Sequence, residues 1–150
     1  RGRNYELFSA IANVRSDGSE NNHIEPKGIP EDCHEITKGC IKRWNGDGHS
    51  HSYLTLSELK ELNESFGGKL KRSGMISQES FDGLKDGNKP RTWCQWTNTP
   101  GWVQAEWEDE FTSVGDFIEQ IEDYMRFAFY DFEIKASGDD GFRVVFWFDN

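Results

Sequence analysis

Apolar residues recur at helical spacing from Asn4 to Val14, where Tyr5, Leu7, Phe8, Ile11, Ala12 and Val14 share a side and Asn4 is placed as an N-cap. Residues 15 to 29 break this pattern with Ser, Asp, Asn and Gly, as a long polar loop does. Pro30, Glu31 and Asp32 then give the proline and first-turn acids of a helix start, predicting a second helix to about Trp44. Asn45 to Gly48 reads as the turn that ends it. Thr55 and Glu58 form a capping-box pattern ahead of Leu56, Leu59 and Leu62, which predicts a short third helix. Residues 67 to 74 read as a basic, Gly-rich loop, and Ser77 to Leu84 as another short helix stopped by Gly87 and Pro90.

From Arg91 to Phe111 the period changes. Trp93, Gln95 and Thr97 alternate with Cys94 and Trp96, and Trp102 to Trp107 is again rich in strand formers, so two strands or extended segments are expected around a Thr-Pro-Gly turn. Ser113 with Asp116 opens the clearest helix: Val114, Phe117, Ile118, Ile121, Met125, Ala128 and Phe132 form an apolar stripe, and Asp116, Glu119, Glu122 and Asp123 line the opposite face. Phe142 to Phe148 is the strongest strand and is expected to be central. The order of elements predicts an α+β domain with helices mainly in the first half. Its second half is expected to form a small antiparallel sheet and one long amphipathic helix over about 113–132.

A chain of 150 residues suits a single domain, and six Trp with eleven Phe supply a core despite an apolar fraction of 35%. No run is long and apolar enough for a membrane helix, and no signal peptide is read. Three cysteines, Cys33, Cys40 and Cys94, show no disulfide-framework spacing, which fits a reducing cytosol. Residue 1 is Arg, so the chain is expected to be cut from a longer product and to lack its beginning. The net charge of −10 is local: residues 104 to 140 hold twelve acids and two bases, leaving fifteen of each sign elsewhere. Such a field repels nucleic-acid phosphates and attracts basic protein surfaces. The plainer alternative is a solvated helix face that maintains solubility.

Three segments, Arg3 to Phe8 running on through Ala12 to Arg15, Pro26 to Asp32, and Asp47 to Leu56, resemble in order and spacing a family of small bacteriophage and prophage proteins of unassigned function. Val144 to Asn150 is similar too, and the middle of the chain hardly at all. The resemblance implies a phage or prophage origin and use during infection; with no signal peptide or membrane run read, the expected place of action is the cytoplasm of the bacterial host. It implies no chemistry. Relatives begin with a further strand carrying Asp-Ile-His, which is absent here.

The segment Asp47-Gly48-His49-Ser50-His51-Ser52 is the most suggestive chemically. An His-x-His pair in an extended stretch places both imidazoles on one side, as metal hydrolases require, and Asp47 can supply a carboxylate or orient a ring. A metal needs three or four ligands, however, so satisfied turn histidines, or a small-molecule or phosphate site that includes Ser50, are the rival readings. Cys33, Ile36, Cys40 and Trp44 fall on one helical face, which favours core packing over zinc. No P-loop, Gly-x-Gly-x-x-Gly or Gly-x-Ser-x-Gly motif is present. Lys69, Lys71, Arg72, Lys85, Lys89 and Arg91 read either as a phosphate-facing patch or as solvated surface. Trp93, Trp96, Trp102 and Trp107 read as core or sheet cover before base-stacking platforms.

Two functions follow. The favoured one is an accessory protein that counters host defence by binding a host effector or sequestering a nucleotide signal, with Asp116, Glu119, Glu122 and Asp123 as an acidic interaction surface. It needs no cofactor, no direct nucleic-acid contact and no membrane. The alternative is a metal-dependent phosphoesterase-like hydrolase that holds a divalent ion through Asp47, His49 and His51.

Overall fold

Helix α1 (Tyr5–Ala12) starts where the Asn4 side chain accepts the Leu7 N–H at 3.0 Å, and it stops at Asn13 in the left-handed conformation. The computed structural model describes residues 3–16, 21–44, 46–128 and 138–149. Along them run α2 (Glu35–Arg43), β1 (His49–Thr55), α3 (Leu56–Phe66), β2 (Lys69–Ser77), α4 (Gln78–Leu84), β3 (Trp102–Glu110), α5 (Ser113–Ala128), a short 3-10 turn (Asp139–Gly141) and β4 (Arg143–Phe148). The fold class is α+β, with two small antiparallel sheets.

Each sheet pairs an earlier strand with a later one: β1 with β4, and β2 with β3. A single sheet built from the second half is therefore not what forms. The expected loop at 67 to 74 is instead largely strand β2, paired residue for residue from Lys69 opposite Glu110 to Ser77 opposite Trp102. Its alternation was hidden because Gly74 and Arg72 occupy inward positions where sequence reading expects large apolar groups. Gly67 and Gly68, with φ of 57° and 74°, do supply a turn, but only the short one that ends α3. Residues 91 to 98 form no strand; Cys94 makes an isolated bridge to Met75. Nor is Phe142 to Phe148 central: β4 pairs with β1 alone among the described residues. Asn45 and Phe132, assigned above to a turn and to the long helix, lie outside the described residues.

The main core joins three helices to the β1/β4 pair. Ile11, Leu54, Leu59, Leu62, Phe66, Phe111, Val114, Ile118 and Phe148 are all buried in it, and Val144 and Phe146 pack against it. A smaller core of Ile76, Ala105 and Trp107 lies under β2 and β3, covered by Phe81, Leu84 and Trp93. Trp96, by contrast, is 76% exposed.

Helix α2 departs most from expectation. It begins at Glu35 because His34 caps it, its Nδ1 accepting the Ile36 N–H at 3.2 Å, while Pro30 to Cys33 form a turn closed by the Cys33 N–H on the Pro30 carbonyl. Ile36 is 72% exposed and Trp44 46% exposed, so the supposed Cys33, Ile36, Cys40, Trp44 core face is not formed; Ile41 is the buried residue of α2. Cys33 is nevertheless buried, ahead of the helix, and Cys40 and Cys94 are half-buried; all three are free thiols.

Candidate functional site

Asp47 is exposed in the turn after α2, its N–H held by the Trp44 carbonyl at 3.0 Å. His49 and Ser50 open β1 at a register irregularity, where His49 faces Phe148 and Ser52 faces Phe146. Ser50 takes φ 51°, a conformation that costs a non-glycine residue energy, and its hydroxyl lies 3.0 Å from His49 Nδ1. This extra residue breaks the alternation that would have set both imidazoles on one side. The His49 ring leans on Phe148 at 6.1 Å between centroids, whereas His51 stacks on Trp147 at 6.3 Å. Trp147 and Phe148 are successive strand residues and point to opposite faces, so the two histidines are divided between them.

His51 Nε2 is buried and has no hydrogen-bond partner among the described residues. A β-carbon on Gly48 would lie 3.5 Å from it and 3.3 Å from both Trp147 Cδ1 and the Trp44 carbonyl oxygen. The nitrogen is thus closed in by backbone and indole. Among the described residues, no three His, Cys, Asp or Glu side chains converge as a metal ion needs. The next residue, Ser52, is fully buried, and its hydroxyl accepts the Lys27 N–H at 3.0 Å.

On α5, Asp116, Glu119 and Asp123 are exposed. Asp116 accepts from the Thr112 hydroxyl at 2.9 Å, and Asp123 pairs with Arg126 at 3.2 Å. Glu122 is half-buried and bridges at 3.0 Å to Lys60 of α3, which also bonds Asp139 at 2.8 Å. Its role is to tie α5 to α3, and it is not part of a free acidic face. On β3, alternation exposes Gln104, Glu106, Glu108 and Glu110 while Ala105 and Trp107 turn inward. No local motif singles these glutamates out, because the face each takes is set by the pairing of β3 with β2.

The basic residues mostly have acidic partners. Lys69 meets Glu108 at 2.8 Å, Lys85 meets Asp82 at 3.8 Å and Lys89 meets Asp109 at 3.4 Å. Arg72, whose side chain is 14% exposed, binds Glu6 of α1 and Asp109 of β3 and lies over the Trp93 ring. Lys71 and Arg91 make no ion pair among the described residues. Tyr53 sits beneath two cations, Lys27 Nζ at 4.3 Å and the Arg143 guanidinium at 5.9 Å. Each cation is held by an acid, Lys27 by Glu58 and Arg143 by Asp32 through two bonds of 2.9 and 2.6 Å. The Arg143 hydrogen bonds hold the Asp32 carboxyl below its ordinary value.

Sequence reasoning missed one cleft, of about 240 Å³, between α1, the segment after it and β2, lined by Tyr5, Glu6, Arg15, Asn21, Arg72 and Trp93. Its residues are drawn from separate segments as far apart as Tyr5 and Trp93, so no local motif announces it. Comparison of the chain with protein-family models, curated proteins and solved structures gives no match.

Proposed function

We propose that this chain is a phage-encoded accessory protein that counters a host defence by covering a basic surface of a host effector in the bacterial cytoplasm. The observation that carries the reading is the outward placement of Glu106, Glu108 and Glu110 on β3 and of Asp116, Glu119 and Asp123 on α5. Lys69, Arg72 and Lys89 pair with Glu108 and Asp109 and offset part of that charge, but Glu106, Glu110 and Glu119 make no ion pair among the described residues and keep the surface negative. Clustered exposed carboxylates steer encounter with a basic partner and repel nucleic acid directly. The phage resemblance of the first sixty residues supplies the biological setting. The hydrolase reading ranks lower because it has two imidazoles on opposite faces and, among the described residues, no third donor beside them.

A second reading, sequestration of a nucleotide signal, is favoured by the Tyr5, Arg15, Arg72 and Trp93 cleft, which offers ring faces and guanidinium groups. Glu6 and Asp109 already engage Arg72, which weakens it as a phosphate anchor.

The test is capture from host lysate by the parent chain, by a variant with Glu106, Glu110, Asp116, Glu119 and Asp123 changed to their amides, and by a His49→Ala, His51→Ala variant. The amide variant should melt like the parent and lose the captured protein, and the histidine variant should retain it. Equal capture by the amide variant, with loss in the histidine variant, would move the site to the 47 to 52 turn.

A further inference from the structure

The β2/β3 sheet has two edges, and they are treated differently. On the β2 side, the Asn21 side chain bonds both polar groups of Lys71, accepting its N–H at 2.9 Å and donating to its carbonyl at 3.0 Å. Further along, Met75 exchanges backbone bonds with Cys94 at 2.8 and 3.1 Å. That edge is engaged at two points, on either side of Ser73. Because Lys71 and Met75 direct their backbone groups away from β3, the residues opposite them, Glu108 and Gln104, direct theirs away from β2. The same alternation turns the N–H and C=O of Glu106 and Glu110 outward. Phe111 N–H on the Gly68 carbonyl and Gln78 N–H on the Gly101 carbonyl mark the inward phase at the two ends. At Trp102 the outward N–H is taken by Thr99, but from Gln104 to Glu110 no backbone partner is present among the described residues.

This open edge carries its own selectivity. The residues whose backbone groups face outward are also those whose side chains are exposed, so the edge is lined by Glu106, Glu108 and Glu110. Glu106 and Glu110 make no ion pair among the described residues, and Glu108 meets only Lys69. A second copy of β3 would set glutamate against glutamate, which disfavours self-pairing. A strand with Lys or Arg at alternate positions would instead place each cation directly opposite a glutamate while its backbone completes the ladder.

We infer that the β3 edge from Gln104 to Glu110 is a strand-addition site for an extended, basic segment of a partner protein, with Lys or Arg alternating with β-branched apolar residues. This rests on the acidic-surface reading above and specifies how that surface engages its partner. Backbone pairing supplies the register, and the glutamates select for positive charge.

The probe is a synthetic peptide alternating lysine with valine and long enough to span Gln104 to Glu110, in three forms: unmodified, N-methylated on the lysines, and N-methylated on the valines. In an antiparallel pairing that sets each lysine opposite a glutamate, the lysine amides face β3 and the valine amides face solvent, and all three forms carry the same side-chain charge. The unmodified and valine-methylated peptides should bind alike to the intact chain, and lysine methylation should weaken binding by roughly tenfold or more. Binding should slow amide exchange at Gln104, Glu106, Glu108 and Glu110 selectively. Equal binding of all three forms would overturn strand addition and leave the acidic surface standing as a purely electrostatic one. Binding of none would also overturn it, and the lysate experiment then judges the acidic surface separately. Slow exchange at these amides in a dimer of the chain alone would show the occupant to be a second copy.

Discussion

The indole of Trp93 lies over Gly74 so closely that a β-carbon built on the glycine would come within 2.7 Å of Cε3 and 2.8 Å of the Cys94 carbonyl oxygen. Glycine at this point of β2 lets Trp93 pack edge-on to the buried Trp107, 5.6 Å away between centroids, and so roof the smaller core. Gly74→Ala should cost about 2 kcal/mol, since overfilling a packed site forces backbone or ring to shift. A thermal melt lower by roughly 6 °C is the expected reading. An unchanged melt would mean that Trp93 is free to lift away.

Thr55 and Glu58 cap α3 reciprocally: the Thr55 hydroxyl accepts the Glu58 N–H at 3.1 Å, and Glu58 Oε2 accepts the Thr55 N–H at 2.8 Å. Burial works to raise the Glu58 carboxyl, but the bonds from Lys27 and the Thr55 N–H outweigh it and hold the group below its ordinary value. A carboxyl lowered in the folded state contributes stability above its unfolded value and loses it as pH falls through the folded one. Glu58→Gln should therefore destabilise the chain at neutral pH, with the difference from the parent closing across the acidic carboxylate range. Thr55→Ala should cost about 1 kcal/mol. Denaturant melts at several pH values check both, and a Glu58→Gln difference that grew on acidification would contradict the assignment.

The elements legible in the sequence were those whose signals are local. Asn4 before α1, the Thr55 and Glu58 pair before α3, and the Val114 to Met125 stripe of α5 each lie within a few turns of what they specify. What was missed depends on partners far along the chain. Asp32 has the chemistry of a first-turn acid, yet it is engaged by Arg143, 111 residues away, and the helix waits for His34. The division of His49 from His51 is set by pairing with β4, and the inward Arg72 of β2 is neutralised by Glu6 and Asp109. Side-chain alternation in one segment records none of these.

Leu54 and Val145 lie on opposite sides of the β1/β4 pair. Leu54 is 0% exposed in the main core, whereas Val145 pairs with Tyr53 on the outer face and is only half-buried. A strand at the heart of the sheet would have made Val145→Asp unfold the chain, but in this arrangement the charge can reach water. Leu54→Ala should cost about 3 kcal/mol by leaving a cavity, and Val145→Asp should still melt cooperatively with a smaller loss. The comparison is read from paired denaturant curves. A larger loss at Val145 would place it inside.

The three thiols should react in an order set by burial. Cys33 is buried beneath the turn after Pro30, while Cys40 and Cys94 are half-buried. Native-state alkylation followed by mass spectrometry should label Cys33 last. Labelling of Cys33 before the other two would show that the 30 to 34 turn opens readily.

Divalent metal offers the sharpest test of the histidine turn. An ion that bound the folded chain alone at about a hundred times its dissociation constant would add roughly 2.7 kcal/mol of stability. For a chain of this size that is a rise of about 8 °C in Tm. Geometry argues against such a gain: the bulge at Ser50 sends His49 towards Phe148 and His51 towards Trp147, and His51 Nε2 is sealed behind Gly48. Bringing both imidazoles to one ion would require β1 to shift register, and such a shift would carry the fully buried Leu54 out of the core. Zinc or manganese should therefore move the melt of the parent no more than that of the His49→Ala, His51→Ala variant. A rise confined to the parent, abolished by chelator, would restore Asp47, His49 and His51 as a candidate metal site and put the hydrolase reading ahead of the accessory-protein one.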